Sequence, residues 1–271
     1  MRFFIFLFLV VGSNVLLYGQ TISGTVFERN SETPIEYVNI GIFGKNIGTV
    51  SDQNGKYTLQ INPEYQNDTL IFSCIGYHSY SVIISDFINL NNGNVNLEKR
   101  KYDLTEVVIR PRRVREKTLG VTTKSKLTQG CFSDSINGRE VGIVMNNKNK
   151  VFLKEVNLNI TICTYDSIFY RINIYKAHND KQFENILTNP IYVSSSKEEV
   201  KNKITIDLRH LYLEFDGDFF VTFEAVKNLG AGRLCFPVSL FDKTYLRRAS
   251  HGIWETQPVG ISISVLVDVE R

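Results

Sequence analysis

Residues 48–59 read GTVSDQNGKYTL, and the fold turns on what sits in their middle. Two short alternating stretches flank Asp52-Gln53-Asn54-Gly55. Such a cluster suits either a calcium loop or a tight turn. A helix–loop–helix calcium site takes oxygen ligands at positions 1, 3 and 5 and a glutamate at position 12. Counted from Asp52, position 12 is Pro63, and the flanks alternate with period two, which signals strands. Asn-Gly is a strong hairpin signal because both residues tolerate positive φ, and Asp or Asn side chains in such turns accept hydrogen bonds from nearby backbone N–H groups. The expectation is a hairpin turn between strands, with no metal.

The same rhythm extends outward on both sides. In TISGTV, Ile22, Gly24 and Val26 alternate with Thr21, Ser23 and Thr25. NSETP is a turn, with Pro34 fixing the backbone before IEYVNIGIF alternates again. DTLIFSCIGYHSYSVII supplies two further strands broken at Gly76. The markers Gly24, Pro34, Val38, Gly48, Thr49, Asp52, Gly55, Tyr57, Leu59, Gly76 and Tyr77 stand in order over about 75 residues. This series resembles the carboxypeptidase regulatory-like domain of Bacteroidetes envelope proteins. The resemblance implies a seven-stranded sandwich of the transthyretin (prealbumin) kind with no catalytic residues of its own. It also implies a cell-envelope setting, often at the N-terminus of TonB-dependent outer-membrane receptors.

The chain opens MRFFIFLFLVVGSNVLLYGQT, with one early arginine and an unbroken apolar run from Phe3 to Val11. A spanning helix needs about 20 apolar residues. The run fits the core of a secretory signal instead, so 1–19 is expected to be a leader and the mature chain to be exported without a transmembrane span. Export permits disulfides. Cys74, in LIFSCIGY, reads as a small core residue, and one disulfide is expected among Cys131, Cys163 and Cys235 with the pairing open.

Net charge is +3, yet Lys99–Lys117 alone carries eight basic and three acidic residues. Residues 99–118 therefore read as a basic linker between bodies 20–98 and 119–271. Val107, Val108 and Ile109 in YDLTEVVIRP stand where the receptors carry their TonB-contacting segment. Two readings stay open: strand addition to a partner's sheet edge, or pairing with the chain's own domain. About 150 residues follow, too few for a receptor barrel of many strands.

FLKEVNLNITI, FYRINIYKA, NKITIDL, DFFVTFEAV and GISISVLVDV alternate through the second body, separated by turns such as DGD and NLGAGR. Short, regularly spaced strands argue for a second sandwich of jelly-roll type. The fold class is all-β: two β-sandwich domains joined by the basic linker.

Sites are scarcer than strands. The four histidines, His78, His178, His210 and His251, show no zinc-protease spacing, and no Gly-x-Ser-x-Gly elbow occurs. Asp216 and Asp218 flank Gly217 in what reads as a hairpin turn before it reads as a carboxylate pair. Trp254 lies in SHGIWETQP beside Arg247 and Arg248. That loop suits ligand binding, by stacking and carboxylate pairing, or closure of the core by a large aromatic. No cofactor and no catalytic residue is expected. The partners expected are an outer-membrane or TonB-linked envelope protein, acting through protein–protein contacts, or alternatively a glycan such as peptidoglycan. Nucleic acid is disfavoured because only the linker is basic and the chain is exported.

Overall fold

The computed structural model describes residues 19–90, 92–101, 114–133, 137–178 and 182–270. Nearly all of the expected leader (1–18) lies outside them, as do Val107, Val108 and Ile109, where a TonB-type contact is expected from the sequence.

The first body is a seven-stranded sandwich. One sheet joins Lys56–Ile61, Gln20–Glu28 and Val95–Leu97; the other joins Gly48–Val50, Asn39–Ile42, Thr69–Ser73 and Tyr80–Ile83. Alternation is literal in Lys56–Ile61, where Tyr57, Leu59 and Ile61 are buried and Lys56, Thr58 and Gln60 exposed. With Val26, Val38, Ile40, Leu70 and Phe72 they form an apolar core. A seven-residue helix, Ile84–Leu90, which the sequence reading does not anticipate, closes that core with Ile84 and Phe87.

The Asp52 cluster is a turn. Asp52 Oδ1 accepts from the N–H groups of Asn54 at 2.8 Å and Lys56 at 2.9 Å, and Gly55 takes a φ of +71°. It is not a hairpin turn, however. The strand before it pairs with Asn39–Ile42 and the strand after it with Gln20–Glu28, so the turn carries the chain from one sheet to the other. A type I′ hairpin needs positive φ at both central residues, and here Gly55 has it and Asn54 does not. Asp216-Gly217-Asp218 likewise crosses between sheets: Glu214–Asp216 pairs with Lys150–Asn159, and Phe219–Ala225 pairs with Glu140–Met145 and Ser167–Ala177.

The second body is also a sandwich. A seven-stranded antiparallel sheet runs Phe183–Asn185, Ser167–Ala177, Phe219–Ala225, Glu140–Met145, Thr244–Arg247, Glu255–Gln257, with Ile191–Ser196 also paired to Ser167–Ala177. A five-stranded sheet centres on Lys150–Asn159 and Ile263–Glu270. Inner residues of both, including Ile172, Val221, Phe223, Val156 and Val265, share one core. A four-stranded sheet completes the body, and within it Cys131 and Cys235 are cross-strand neighbours joined as a disulfide. Cys74 and Cys163 are free.

The basic segment ends earlier than its charge pattern suggests. Val114–Gly120 is a strand along Ile263–Glu270, so 114–118 belong to the second body rather than to a linker. Its exposed residues include Arg115, Glu116 and Lys117, and charges of that kind keep sheet edges from pairing with other chains. At the other end, Arg100 donates its N–H to the Gly76 carbonyl at 2.8 Å.

Candidate functional site

Phe219–Ala225 is buried along its whole length, on both faces. An antiparallel sheet commonly leaves one face to water, so something covers the other. Strand alternation sends Phe219, Val221 and Phe223 into the second body's core. It sends Phe220, Thr222 and Glu224 to the opposite face, with Arg171, Asn173 and Tyr175 of the neighbouring strand. The first sandwich covers its Arg171 end, and Phe183, Tyr245 and Trp254 of the second body cover Phe220 and Tyr175.

Register sets the chemistry. Arg171 pairs with Glu224, Glu224 with Glu140, and Glu140 with Arg247, across four adjacent strands. The result is a row of four charges in the order plus, minus, minus, plus. Arg171 Nε and Nη2 donate to Glu224 Oε2 at 3.0 and 2.8 Å. Arg247 meets Glu140 Oε2 at 2.5 Å. The two central carboxylates are neighbours, and neutral donors help to hold them. Asn173 Nδ2 donates to both, at 2.6 Å to Glu224 and 2.9 Å to Glu140, while the Tyr175 and Thr222 hydroxyls donate to Glu140 Oε1. Burial opposes the charge on Glu224, but Arg171 and Arg247 outweigh it and hold its carboxyl below the ordinary range.

The first sandwich completes this row. Arg171 Nη1 donates to the Tyr37 carbonyl at 2.9 Å, and Nη2 to Asn39 Oδ1 at 2.7 Å. Tyr37 adopts a φ of +51°, uncommon for a bulky residue. Its ring lies 5.1 Å from Phe169 and 5.4 Å from Tyr192 of the second body. From the other side, the segment 249–252 lies against strands of the first body. The His251 carbonyl accepts from the Gly44 N–H at 3.0 Å. Gly41 and Gly48 are what permit the approach: a Cβ on either would lie 2.1 or 2.5 Å from the Ser250 carbonyl oxygen. Any side chain there would push the two sandwiches apart.

A cavity of about 300 Å³ lies at the junction, lined in part by Ser73, Cys74, Arg100, Asn185 and His251. Ser73 Oγ and His251 Nε2 are 3.2 Å apart, a spacing that invites a nucleophile–base reading. The same nitrogen faces the Asn39 carbonyl at 3.4 Å, which only accepts, so the tautomer with its proton on Nε2 donates there and takes no proton from Ser73. Burial, reinforced by Arg247, also lowers the imidazole to about 4, too weak a base for neutral pH. Burial pushes the Cys74 thiol up to about 11, which leaves it unreactive. Among the described residues no group of three or more His, Cys, Asp or Glu side chains is placed to hold a metal.

Trp254, Arg247 and Arg248 divide. Trp254 is half-buried, edge-on to Phe220 at 5.0 Å and Phe183 at 5.5 Å. The Arg247 guanidinium sits over its ring at 5.0 Å. Arg248 lies at the surface, donating to both carboxylate oxygens of Glu255 at 2.9 and 3.0 Å. The sequence reading singled out Arg247, named His251 only to set it aside, and missed Arg171, Glu140 and Glu224. One signal was present: Glu224 is the lone charge between Phe219 and Ala225 in a run of otherwise apolar residues and Thr222. A charge in such a run is rarely buried without a partner.

Residues 22–109 match the CarboxypepD_reg-like domain family, whose members are non-catalytic β-sandwich modules. No curated protein matches the chain. Solved structures similar to it include that of infectious bursal disease virus Gx strain, at 11% identity, covering 87% of this chain and 57% of that one, with a TM-score of 0.22. The VP2 subviral particle of the same virus gives 12% identity, 86% and 61% coverage, and a TM-score of 0.22. The chain thus spans about three-fifths of the length of those two viral chains. Similarity at that level transfers neither fold nor function.

Proposed function

We propose that this chain, a CarboxypepD_reg-like sandwich followed by a second all-β sandwich, is an exported, non-enzymatic cell-envelope protein that acts as a protein–protein binding or assembly module. The observation that carries the reading is the Arg171–Glu224–Glu140–Arg247 row. The charged groups of the row neutralise one another and Arg171 ties them to the first sandwich, so the molecule presents surfaces held in fixed relation. A hydrolytic centre would instead leave a carboxylate or imidazole accessible and poised near neutral pH. The Cys131–Cys235 disulfide favours an oxidising compartment, and the apolar leader favours export, to the periplasm or the outer-membrane surface. No helix among the described residues is long and apolar enough to cross a membrane.

Crosslinking in intact cells, followed by recovery of the tagged chain and mass spectrometry, tests the reading. One specific outer-membrane or TonB-linked protein, joined through Lys99, Lys101 or Lys117, is the expected outcome. Recovery of no specific protein would overturn it.

A further inference from the structure

The covered face of the seven-stranded sheet changes character along its strands. Beyond the charge row comes an aromatic band, in which Phe183 stands 4.2 Å from Phe220 and 5.7 Å from Tyr245, centroid to centroid. Beyond that band the face opens to solvent in a groove of about 620 Å³. Phe183 and Tyr245 line it with aromatic rings, and Asn146, Asp218, Asp242 and Lys243 with polar groups. Over it stands Phe241, 97% exposed.

An aromatic ring in water forgoes roughly 1.5–3 kcal/mol of burial, and a loose loop would fold it away. This turn is not loose. The Phe241 N–H donates to Ser239 Oγ at 3.3 Å. Asp242 is packed so closely on Gly260 that a Cβ there would lie 2.3 Å from the Asp242 Cβ. Thr244 Oγ1 donates to the Val259 carbonyl at 2.7 Å and accepts the Ile261 N–H at 2.9 Å. Across the groove, Asp218 is fixed by the Asn147 N–H, 2.7 Å from Oδ1. The backbone that carries the ring, and the carboxylate, are thus held in place before any ligand arrives, which lowers the ordering cost of binding.

We propose that this groove binds a neutral oligosaccharide, with Phe241 as the stacking platform. A pyranose or furanose ring has one face of C–H groups, which packs on an aromatic face, and a rim of hydroxyls that both donate and accept. Planar carboxylates and amides such as Asp218, Asp242 and Asn146 match that rim, and Lys243 adds a donor. With Asp218 and Asp242 set against Lys243 and the His178 imidazole, the lining carries no net positive charge to draw an anionic ligand. The polar wall disfavours a lipid surface. The glycan reading that the sequence attaches to Trp254 moves to a neighbouring site, where the ring face is open. The proposal is independent of the assembly reading, because it concerns the purified chain alone.

The test is an array of immobilised neutral oligosaccharides of two to six hexose, N-acetylhexosamine or pentose units, followed by calorimetry on whatever is retained. At least one is expected to bind, tenfold or more weakly to Phe241→Ala and several-fold more weakly to Asp218→Asn. The melting temperature of Phe241→Ala should be unchanged, since the ring packs against little. Titration should also change Trp254 fluorescence, because Phe183 links that ring to the groove. Retention of no neutral glycan, retention only of acidic ones, or binding indifferent to Phe241→Ala would each overturn the proposal.

Discussion

Arg29–Glu98 and Arg171–Glu224 are both arginine–glutamate pairs, closed at 2.9 and 2.8 Å. The first lies on the outside of the first sandwich with side chains 61% and 60% exposed; the second lies between the sandwiches at 2% and 0%. At the surface, water screens the attraction, and holding two long side chains still costs entropy. In the interior each ion loses several kcal/mol of hydration, which only well-placed partners offset. Glu224 alone does not offset it for Arg171. The Tyr37 carbonyl and the Asn39 amide complete the set, and both come from the other sandwich. Bond length therefore says little about what a pair does. A buried charge whose partners sit on two domains favours the one docking that satisfies it.

The largest effect should come from breaking the covered pair. Arg171→Ala leaves Glu224 buried with Asn173 as its remaining hydrogen-bond donor and should cost about 3–5 kcal/mol. For a chain of this length that is a fall in melting temperature of about 10 °C, read by calorimetry and checked by denaturant titration. Replacing both partners, Arg171→Met with Glu224→Leu, should restore most of the loss, since no unmet charge remains. A cost below about 1 kcal/mol for the single substitution would mean that water reaches Glu224 and the row is not closed.

Acid should weaken the same junction. The imidazole of His251 lies at about 4 in the folded chain, lowered from 6.5 by burial and then by Arg247. As pH falls from about 6.5 to 4, the unfolded chain takes up a proton that the folded chain refuses. Stability should therefore drop over that window, by about 3 kcal/mol in all. Glu224 adds in the same direction. Its contribution is complete above the ordinary value of 4.5 and is lost as pH falls through its lower folded value. His251→Gln should abolish the slope between pH 6.5 and 4.5 and leave the carboxylate part. Melting temperatures at half-unit pH steps would show this, and a flat profile in the unsubstituted protein would place the ring in contact with water.

Local features were legible in the sequence and non-local ones were not, and the contrast recurs at several points. The Asp52–Gly55 turn is written in residues that bond to their own backbone, so it reads correctly as a turn. Which sheet receives the next strand depends on Gln20–Glu28, some thirty residues upstream, and the hairpin expectation fails there. FYRINIYKA reads as a strand, and by alternation Arg171, Asn173 and Tyr175 read as its wet face. That face is dry because the first sandwich lies on its Arg171 end and the Phe183–Trp254 aromatic band on its Tyr175 end, facts that no periodicity carries. The disulfide shows the same boundary. The apolar context of Cys74 narrows the choice to three cysteines, but only the register of Gln129–Ser133 against Arg233–Ser239 sets Cys131 beside Cys235. Phe241 is the converse case, since its sequence neighbours SLFDKT mark a turn while its exposure is set by Gly260 and Thr244.

The smallest effect should come from the exposed pair, and it is the control that gives the largest one its meaning. Arg29→Ala should change stability by less than about 0.5 kcal/mol. The substitution removes the guanidinium and leaves in place the backbone N–H of residue 29, which donates to the Leu97 carbonyl at 2.8 Å. Any measured difference should shrink further between about 0.05 and 0.5 M salt, as the screening length contracts, whereas the cost of Arg171→Ala should barely respond. The two pairs share residue types and length and differ in burial, so equal costs or equal salt responses would remove burial as the cause. A small, salt-sensitive Arg29→Ala beside a large, salt-insensitive Arg171→Ala would leave burial and the first sandwich's contacts with Arg171 as what separates them.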